Sequence, residues 1–467
     1  MKKITVLILC IILVLLTIAC SNDYNDIATN NEQKEITILI KDYDLSGLLR
    51  RYCTIYGYTE RFEIETGIKV NFEVINGKNE IDYERKMNEK LYLEEGPTLI
   101  YISDCNTYRK YIDQGVALNT EGKIPNLENV YNSLLDDGEF YFVPVGMIHW
   151  PIQLNRSAFD KMGIEDPKFD WTKEEYLKIR EKWLKFEPEY FNQHEYSNYF
   201  EFMVDDLGII NESLKQVSLN NSRVIQYIND VREDIFSGKY ILDKEYTYKN
   251  FYNMIFVNGS YESNEALKLH MRYKYENLRN NDFRINALKS LPISKFINVR
   301  NDIILPNTLY GDSELLRTFG FVVNKNGKNT ELGMEFLNGL LSDKIQLEMF
   351  ISRKDNLYPV NKEIESEIDE IEIEINEKVA KEKKEGIKHY VRKDVNEKAT
   401  ALRKYILQQV KTGNYKRCMK SKRITEIKDM MYIDLAKFIF ADEIYTDKEL
   451  SRELQKIKYK YNMYLNE

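Results

Sequence analysis

Two hydrophobic rhythms alternate along the first third of the chain. Ile36-Thr37-Ile38-Leu39-Ile40 is a short β-branched run, which predicts a buried strand. It stops at the polar and aromatic edge Lys41-Asp42-Tyr43-Asp44. The stretch RFEIETGIKVNFEVI then holds the end of a helix, a stop at Thr66-Gly67 and a second strand over Ile68–Ile75. A helical pattern over Asp82–Leu93 gives way at Gly96-Pro97 to a third strand, Thr98–Ile102. A helix over TYRKYIDQG closes on Gly115. Strands that alternate with helices and close on Gly or Gly-Pro argue for an α/β domain with a largely parallel sheet.

The pattern changes after Phe140–Leu154. That stretch is mostly apolar, yet Pro144, Gly146 and Pro151 interrupt it, and His149 and Trp150 sit among them. Thr172 and Glu175 have the spacing of a capping box at the head of a helix. Residues 173–290 read mainly as helices, EEYLKIREKWLKF among them, and residues 291–306 as extended chain. Thr318–Asn324 is another short buried strand, and the helical pattern TELGMEFLNGLLSDKIQLEMF follows it. Residues 363–385 are densely charged, but Ile364, Ile368, Ile371, Ile375 and Val379 recur every three or four positions. They form one apolar stripe, expected on a solvated helix laid on the surface rather than in a coiled coil, for which too few heptads are present.

In parallel α/β sheets ligands sit beyond the C-terminal ends of the strands. The candidates at those ends are Asp42 and Tyr43 after the first strand, and Ser103, Asp104 and Asn106 after the third. Tyr and Trp faces stack on sugar rings, while carboxylates and amides accept hydroxyl hydrogen bonds. With 34 tyrosines in the chain, any single one reads first as a core or surface residue. Trp150, after a strand in an interrupted segment, is placed equally well for a cleft or for the core.

The chain's start sets the compartment. Lys2 and Lys3 precede an uncharged run from Ile4 to Ala19 and then Cys20, the layout of a secretory signal. LTIAC resembles a bacterial lipobox, with Ala19 before a cysteine that becomes the lipidated N-terminus; an uncleaved anchor helix is the other reading. Diacylglycerol and palmitate on Cys20 would hold the protein to the membrane, at about 0.8 kcal/mol per buried CH2. Residues 21–35 are polar and read as a tether. Length beyond the tether suits two or three domains. A formal net charge of −8 argues against nucleic acid as a partner. Cys53, Cys105 and Cys418 are too few and too far apart for a disulfide framework, although one pair among them is not excluded.

No catalytic signature is present. Gly320–Lys328 lacks the P-loop spacing, there is no Gly-x-Ser-x-Gly elbow, and His194-Glu195 has no second histidine four residues on. His149, His194, His270 and His389 show no metal-ligand spacing. The reading is therefore of a non-enzyme without metal or cofactor.

The order of these pieces resembles the family 1 extracellular solute-binding lipoproteins of bacterial ABC importers, the maltose-binding-protein-like group. The resembling segments are ITILI, FEIETGIKVNFEV, EEGPTLIYIS with YIDQGVAL, FYFVPVG with QLNRSAFDKMGIEDPKFDWTKEEY, FGFVVNKNGKNTELGMEFLNGLLSDKIQ and LYPVNK. Thr98 stands where the family's Gly-Pro-Asp has its Asp, and the charged insertion after Lys362 is not typical. The resemblance implies an α/β, two-lobed periplasmic-binding-protein type II-like fold with hinge crossings. It divides the chain into a signal peptide (1–19), a tether (20–35), an N-terminal lobe (36–145 plus about 305–345) and a mainly helical C-terminal lobe (146–304 plus about 346–467). It implies ligand contacts at Asp42, Tyr43, Ser103, Asp104, Asn106, His149 and Trp150, with Tyr310 a second-lobe candidate. It further implies a monomer on the outer face of the cell membrane, and the heavy use of Lys, Asn, Ile, Tyr and Glu points to a low-GC Gram-positive bacterium. That monomer would capture a sugar or oligosaccharide and pass it to ABC permease subunits. A membrane-tethered glycoside hydrolase and a ligand-sensing receptor for a signalling partner are the alternatives.

Overall fold

The computed structural model describes residues 34–48, 53–78, 80–103, 108–135, 140–149, 151–186, 189–191, 193–211, 214–241, 286–287, 303–308, 316–352, 357–386, 397–417 and 422–466. Twelve strands lie among them: β1 (Glu35–Lys41), β2 (Lys69–Ile75), β3 (Leu99–Ile102), β4 (Val143–Ile148), β5 (Ile152–Leu154), β6 (Glu189–Tyr190), β7 (Ile210–Asn211), β8 (Gln216–Val217), β9 (Tyr240–Ile241), β10 (Asn286–Ala287), β11 (Ile303–Leu305) and β12 (Arg317–Val323). Five build the main sheet in the order β2-β1-β3-β12-β4, and three build a second sheet, β10-β5-β11.

The main sheet is mixed rather than largely parallel. β1 pairs parallel with β2 along its whole length and parallel with β3. β12 returns from much later in the chain and pairs antiparallel with both β3 and β4. Short apolar runs predict strands but carry no direction, so the sense of β12 was not legible in its sequence. The second sheet is antiparallel throughout.

Local chemistry explains the element ends. The helix Thr54–Thr66 stops at Gly67, whose φ of 71° lies in the left-handed region and whose N–H bonds to the Glu63 carbonyl. The helix Lys173–Phe186 opens with a reciprocal box: the Thr172 N–H donates to Glu175 Oε2 at 2.7 Å, and the Glu175 N–H donates to Thr172 Oγ1 at 3.2 Å.

The interrupted strand is resolved differently from the sequence reading. Pro144 and Gly146 do not sit at a crossing; they lie inside β4, which stays in the main sheet through Ile148. Phe319 faces Gly146 and Gly320 faces Pro144, so Val145 is a bulged residue with no ladder partner. Pro144 has no N–H to lose there. The orphaned Val145 carbonyl accepts instead from Gln346 Nε2 at 3.1 Å. Opposite, a Cβ on Gly320 would fall 2.1 Å from the Val143 carbonyl oxygen, so only glycine allows this approach. The crossing to β5 is confined to residues 149–151.

Two further segments differ from expectation. The region from about 346 does not all join the later core. Phe350, Tyr358, Ile364, Ile368, Leu402, Ile406 and Val410 pack into the first core with Ile38, Val143 and Phe321. The helices Lys422–Ile439 and Asp447–Asn466 pack instead with the helices Gln193–Asp206 and Ser222–Asp234. The charged helix Glu365–Lys384 is not merely laid on the surface. Ile368 and Val379 of its stripe are buried, and Glu372 is drawn in with them. Arg403, 1% exposed, meets Glu372 at 2.6 Å and Asp369 at 3.0 Å. From the first core, the Tyr131 hydroxyl donates to Glu365 at 2.5 Å.

Candidate functional site

Strand senses bring specific chain ends to one edge of the main sheet. β1, β2 and β3 are mutually parallel, so their C-terminal ends share that edge. β12 is antiparallel, with Gly320 opposite Ile102, so its start at Arg317 lies past the end of β3. Arg317 in turn faces Ile148, the last residue of β4. The same edge therefore collects Lys41 and Asp42, Ser103, and the two passages of the chain toward the second sheet.

The end of β1 carries an organised polar and aromatic group. The helix Asp42–Leu48 begins at once, without an intervening loop. Asp42 Oδ1 accepts from the Tyr43 N–H at 2.8 Å and from the Tyr83 hydroxyl at 2.5 Å. The Tyr43 and Tyr83 rings meet edge to face at 5.4 Å, an arrangement that suits the aromatic quadrupole. Lys41 Nζ stands 5.6 Å from each ring centroid. Tyr83 is buried, whereas Tyr43 is 49% exposed. The hydrogen bond to Asp42 raises the Tyr83 phenol above its ordinary value, and burial adds to that. Burial also raises the Tyr43 phenol, against the pull of Lys41. Both tyrosines thus remain neutral hydroxyl donors at neutral pH. Nearby, Lys110 Nζ bonds Glu84 at 3.0 Å and lies 5.1 Å from the Tyr111 ring. Burial pushes the Lys110 ammonium down, and Glu84 opposes the shift.

The structure brings Asp42 and Tyr43 together and places half-buried Ser103 at the end of β3. His149 is fully buried and stacks on Tyr415 at 6.4 Å with 16° between the rings. Asp104, Asn106, Trp150 and Tyr310, like the lipidation candidate Cys20, lie outside the described residues.

Sequence reasoning missed Lys41, Tyr83 and Arg417. Tyr83 sits on a helix, and no strand-end rule points to it. Arg417, 5% exposed, comes from the far end of the chain and covers the rings of Tyr108 and Phe142 at 4.2 and 4.5 Å, beside the start of β12. Among the described residues no group of His, Cys, Asp and Glu side chains could hold a metal ion, and no helix is long and apolar enough to cross a membrane.

A five-stranded sheet joined through β4 and β12 to a second sheet with its own helices is an arrangement shared with solved proteins. An extracellular solute-binding protein family 1 member from Alicyclobacillus acidocaldarius superposes with a TM-score of 0.53 at 12% identity, over 93% of this chain and 98% of that one. The fold is that of a two-lobed solute-binding protein. AcbH, a bacterial solute receptor with an exclusive substrate preference for β-D-galactopyranose, is similar with a TM-score of 0.51 and 13% identity, over 92% and 98% of the two chains. An ABC transporter solute-binding protein from Agrobacterium radiobacter K84, in complex with ribitol, gives 0.50 and 13% over the same shares. No sequence-family model and no curated protein sequence matches the chain, so the likeness is carried by the solute-binding fold alone.

Proposed function

We propose that this protein is a lipid-anchored extracellular solute receptor that captures a carbohydrate between its two lobes and delivers it to an ABC importer. The observation that carries this reading is the shared sheet edge, where half-exposed Tyr43, Asp42 and Lys41 follow β1 at the same edge at which β4 ends and β12 begins. Tyr43 offers a stacking face, Asp42 an acceptor and Lys41 a donor, the set that recognises a sugar's alternating apolar face and hydroxyl rim. Ser103, Asp104, Asn106 and Trp150 complete the proposed contacts. The solute partners of AcbH and of the Agrobacterium protein, a galactopyranose and a polyol, point to the same ligand class.

The mechanism involves no bond breaking. A solute that touches both lobes binds the closed form better than the open one, and shifts the equilibrium only as far as that difference in affinity. The importer would recognise the closed shape, and Cys20 with its lipid and the tether would keep the receptor near it.

Titration calorimetry against a panel of monosaccharides and oligosaccharides tests the reading. At least one sugar should give a saturable isotherm with one principal site. Heat with amino acids or peptides and with no sugar would overturn the carbohydrate assignment. For the anchor, metabolic labelling with radioactive palmitate should mark the wild type and not Cys20→Ala; equal labelling of the two would overturn that part.

A further inference from the structure

One helix of the first core also touches the second lobe. The helix Glu397–Lys411 packs into the first core through Leu402, Ile406, Leu407 and Val410. The same helix lies against β11 of the second sheet. Its Tyr405 ring meets the Phe169 ring at 5.3 Å, with 49° between them. Phe169 follows the helix Arg156–Met162 and packs against both the first core and the cluster around the second sheet.

Each partner of this contact is fixed to its own side. Next to Phe169, buried Trp171 donates from Nε1 to the Pro306 carbonyl at 2.8 Å, and Thr308 Oγ1 donates to the Trp171 carbonyl at 3.0 Å. Phe169 is thereby held to the chain that leaves β11. Tyr405, for its part, meets Tyr415 at 6.5 Å and 79°, and Tyr415 stacks on His149 in the connection from β4 to β5. A line of rings therefore runs from the second-sheet cluster, over the helix, to the crossing itself.

The strand order sets the side on which this contact lies. β3 and β12 separate β1, with its Tyr43, from β4. On the other flank of β4, Met147 exchanges both backbone hydrogen bonds with Tyr358, at 2.9 and 2.7 Å. Arg403, two residues before Tyr405, reaches the Tyr358 hydroxyl at 3.5 Å. The Phe169–Tyr405 contact thus lies behind the crossings as seen from Tyr43. Two bodies on a hinge that close at the front separate at the back. We propose that Phe169 and Tyr405 form a rear latch that holds the cleft open, so that a solute must break this contact to close the lobes. This rests on the solute-receptor reading. What the latch contributes to the open form is subtracted from the apparent affinity for solute.

Small-angle X-ray scattering of the full-length protein without solute tests this in Tyr405→Ala, Phe169→Ala and the double variant. The radius of gyration should fall in each single variant, and no further in the double one, because both substitutions break the same contact. In calorimetry with galactose and maltose, each alanine variant should bind whichever sugar the wild type binds about two- to tenfold more tightly. Tyr405→Phe, which keeps the ring, should behave as the wild type. Phe169→Leu keeps apolar volume without the ring, and takes the place of Phe169→Ala if circular dichroism shows that variant unfolded. An unchanged or larger radius of gyration would overturn the latch. So would unchanged or weaker affinity, or effects that add in the double variant. The scattering decides the matter even if neither sugar binds, whereas silence from both sugars counts only against the carbohydrate reading.

Discussion

At the residue scale, the account rests on side chains whose surroundings separate binding from folding. Tyr43 is half exposed, with its ring against Tyr83 and Lys41. Tyr43→Ala should weaken binding of the sugar that gives heat by about 1 kcal/mol, roughly fivefold. The melting temperature of the empty protein should stay nearly unchanged. A large fall in melting temperature with unaltered affinity would make Tyr43 a structural residue. Gly320 is the opposite case. A methyl group there meets the Val143 carbonyl and the Pro144 backbone, neither of which is a flexible side chain. Gly320→Ala should cost about 1–3 kcal/mol in urea unfolding, because β4 and β12 must separate at the bulge.

At the element scale, the bulge in β4 and the acidic helix show how far the sequence could be read. The strand ends, the Gly67 stop and the Thr172–Glu175 box were legible because each rule is local. The bulge was not, because it depends on Gly320 approaching from 176 positions later in the chain and on Gln346 reaching the Val145 carbonyl. The apolar stripe of the helix Glu365–Lys384 was visible, but not the first core it packs on, nor the buried Arg403 that meets Asp369 and Glu372 from another helix. Asp42 and Tyr43 were found by the strand-end rule, whereas Tyr83 and Arg417 reach the same edge only through tertiary packing.

The acidic helix yields its own prediction. Arg403→Met strands the buried Glu372 and should cost about 3–5 kcal/mol, while Arg403→Met combined with Glu372→Met should recover most of the loss. A double mutant as unstable as the single one in denaturant titration would show that Arg403 acts through packing alone. A smaller version of the same reasoning applies to Gln346, which holds Val145, Leu340 and Val360 backbone groups at once. Gln346→Leu should cost about 1–3 kcal/mol for each buried group left without a partner.

At the scale of the whole molecule, the first core meets the cluster around the second sheet where β4 runs into β5, and Ile304 of β11 also packs into the first core. Ile152 and Leu154 pack with Phe159, Trp171 and Trp183, while Val143, Val145 and Met147, a few residues earlier, belong to the first core. Between Met147 and Ile152 the chain passes from one cluster to the other over a short connection, as hinges do. The acidic helix and its partner Glu397–Lys411 pack on the first core, so they should move with it. The central claim is that a sugar bridging the two lobes stabilises their closed arrangement. Small-angle X-ray scattering, recorded while the protein is titrated with the sugar that gives the strongest calorimetric signal, tests it most directly. The radius of gyration should fall and saturate along the calorimetric isotherm, and Tyr43→Ala should shift the curve to higher sugar concentration. An unchanged radius of gyration at full calorimetric saturation would contradict the account.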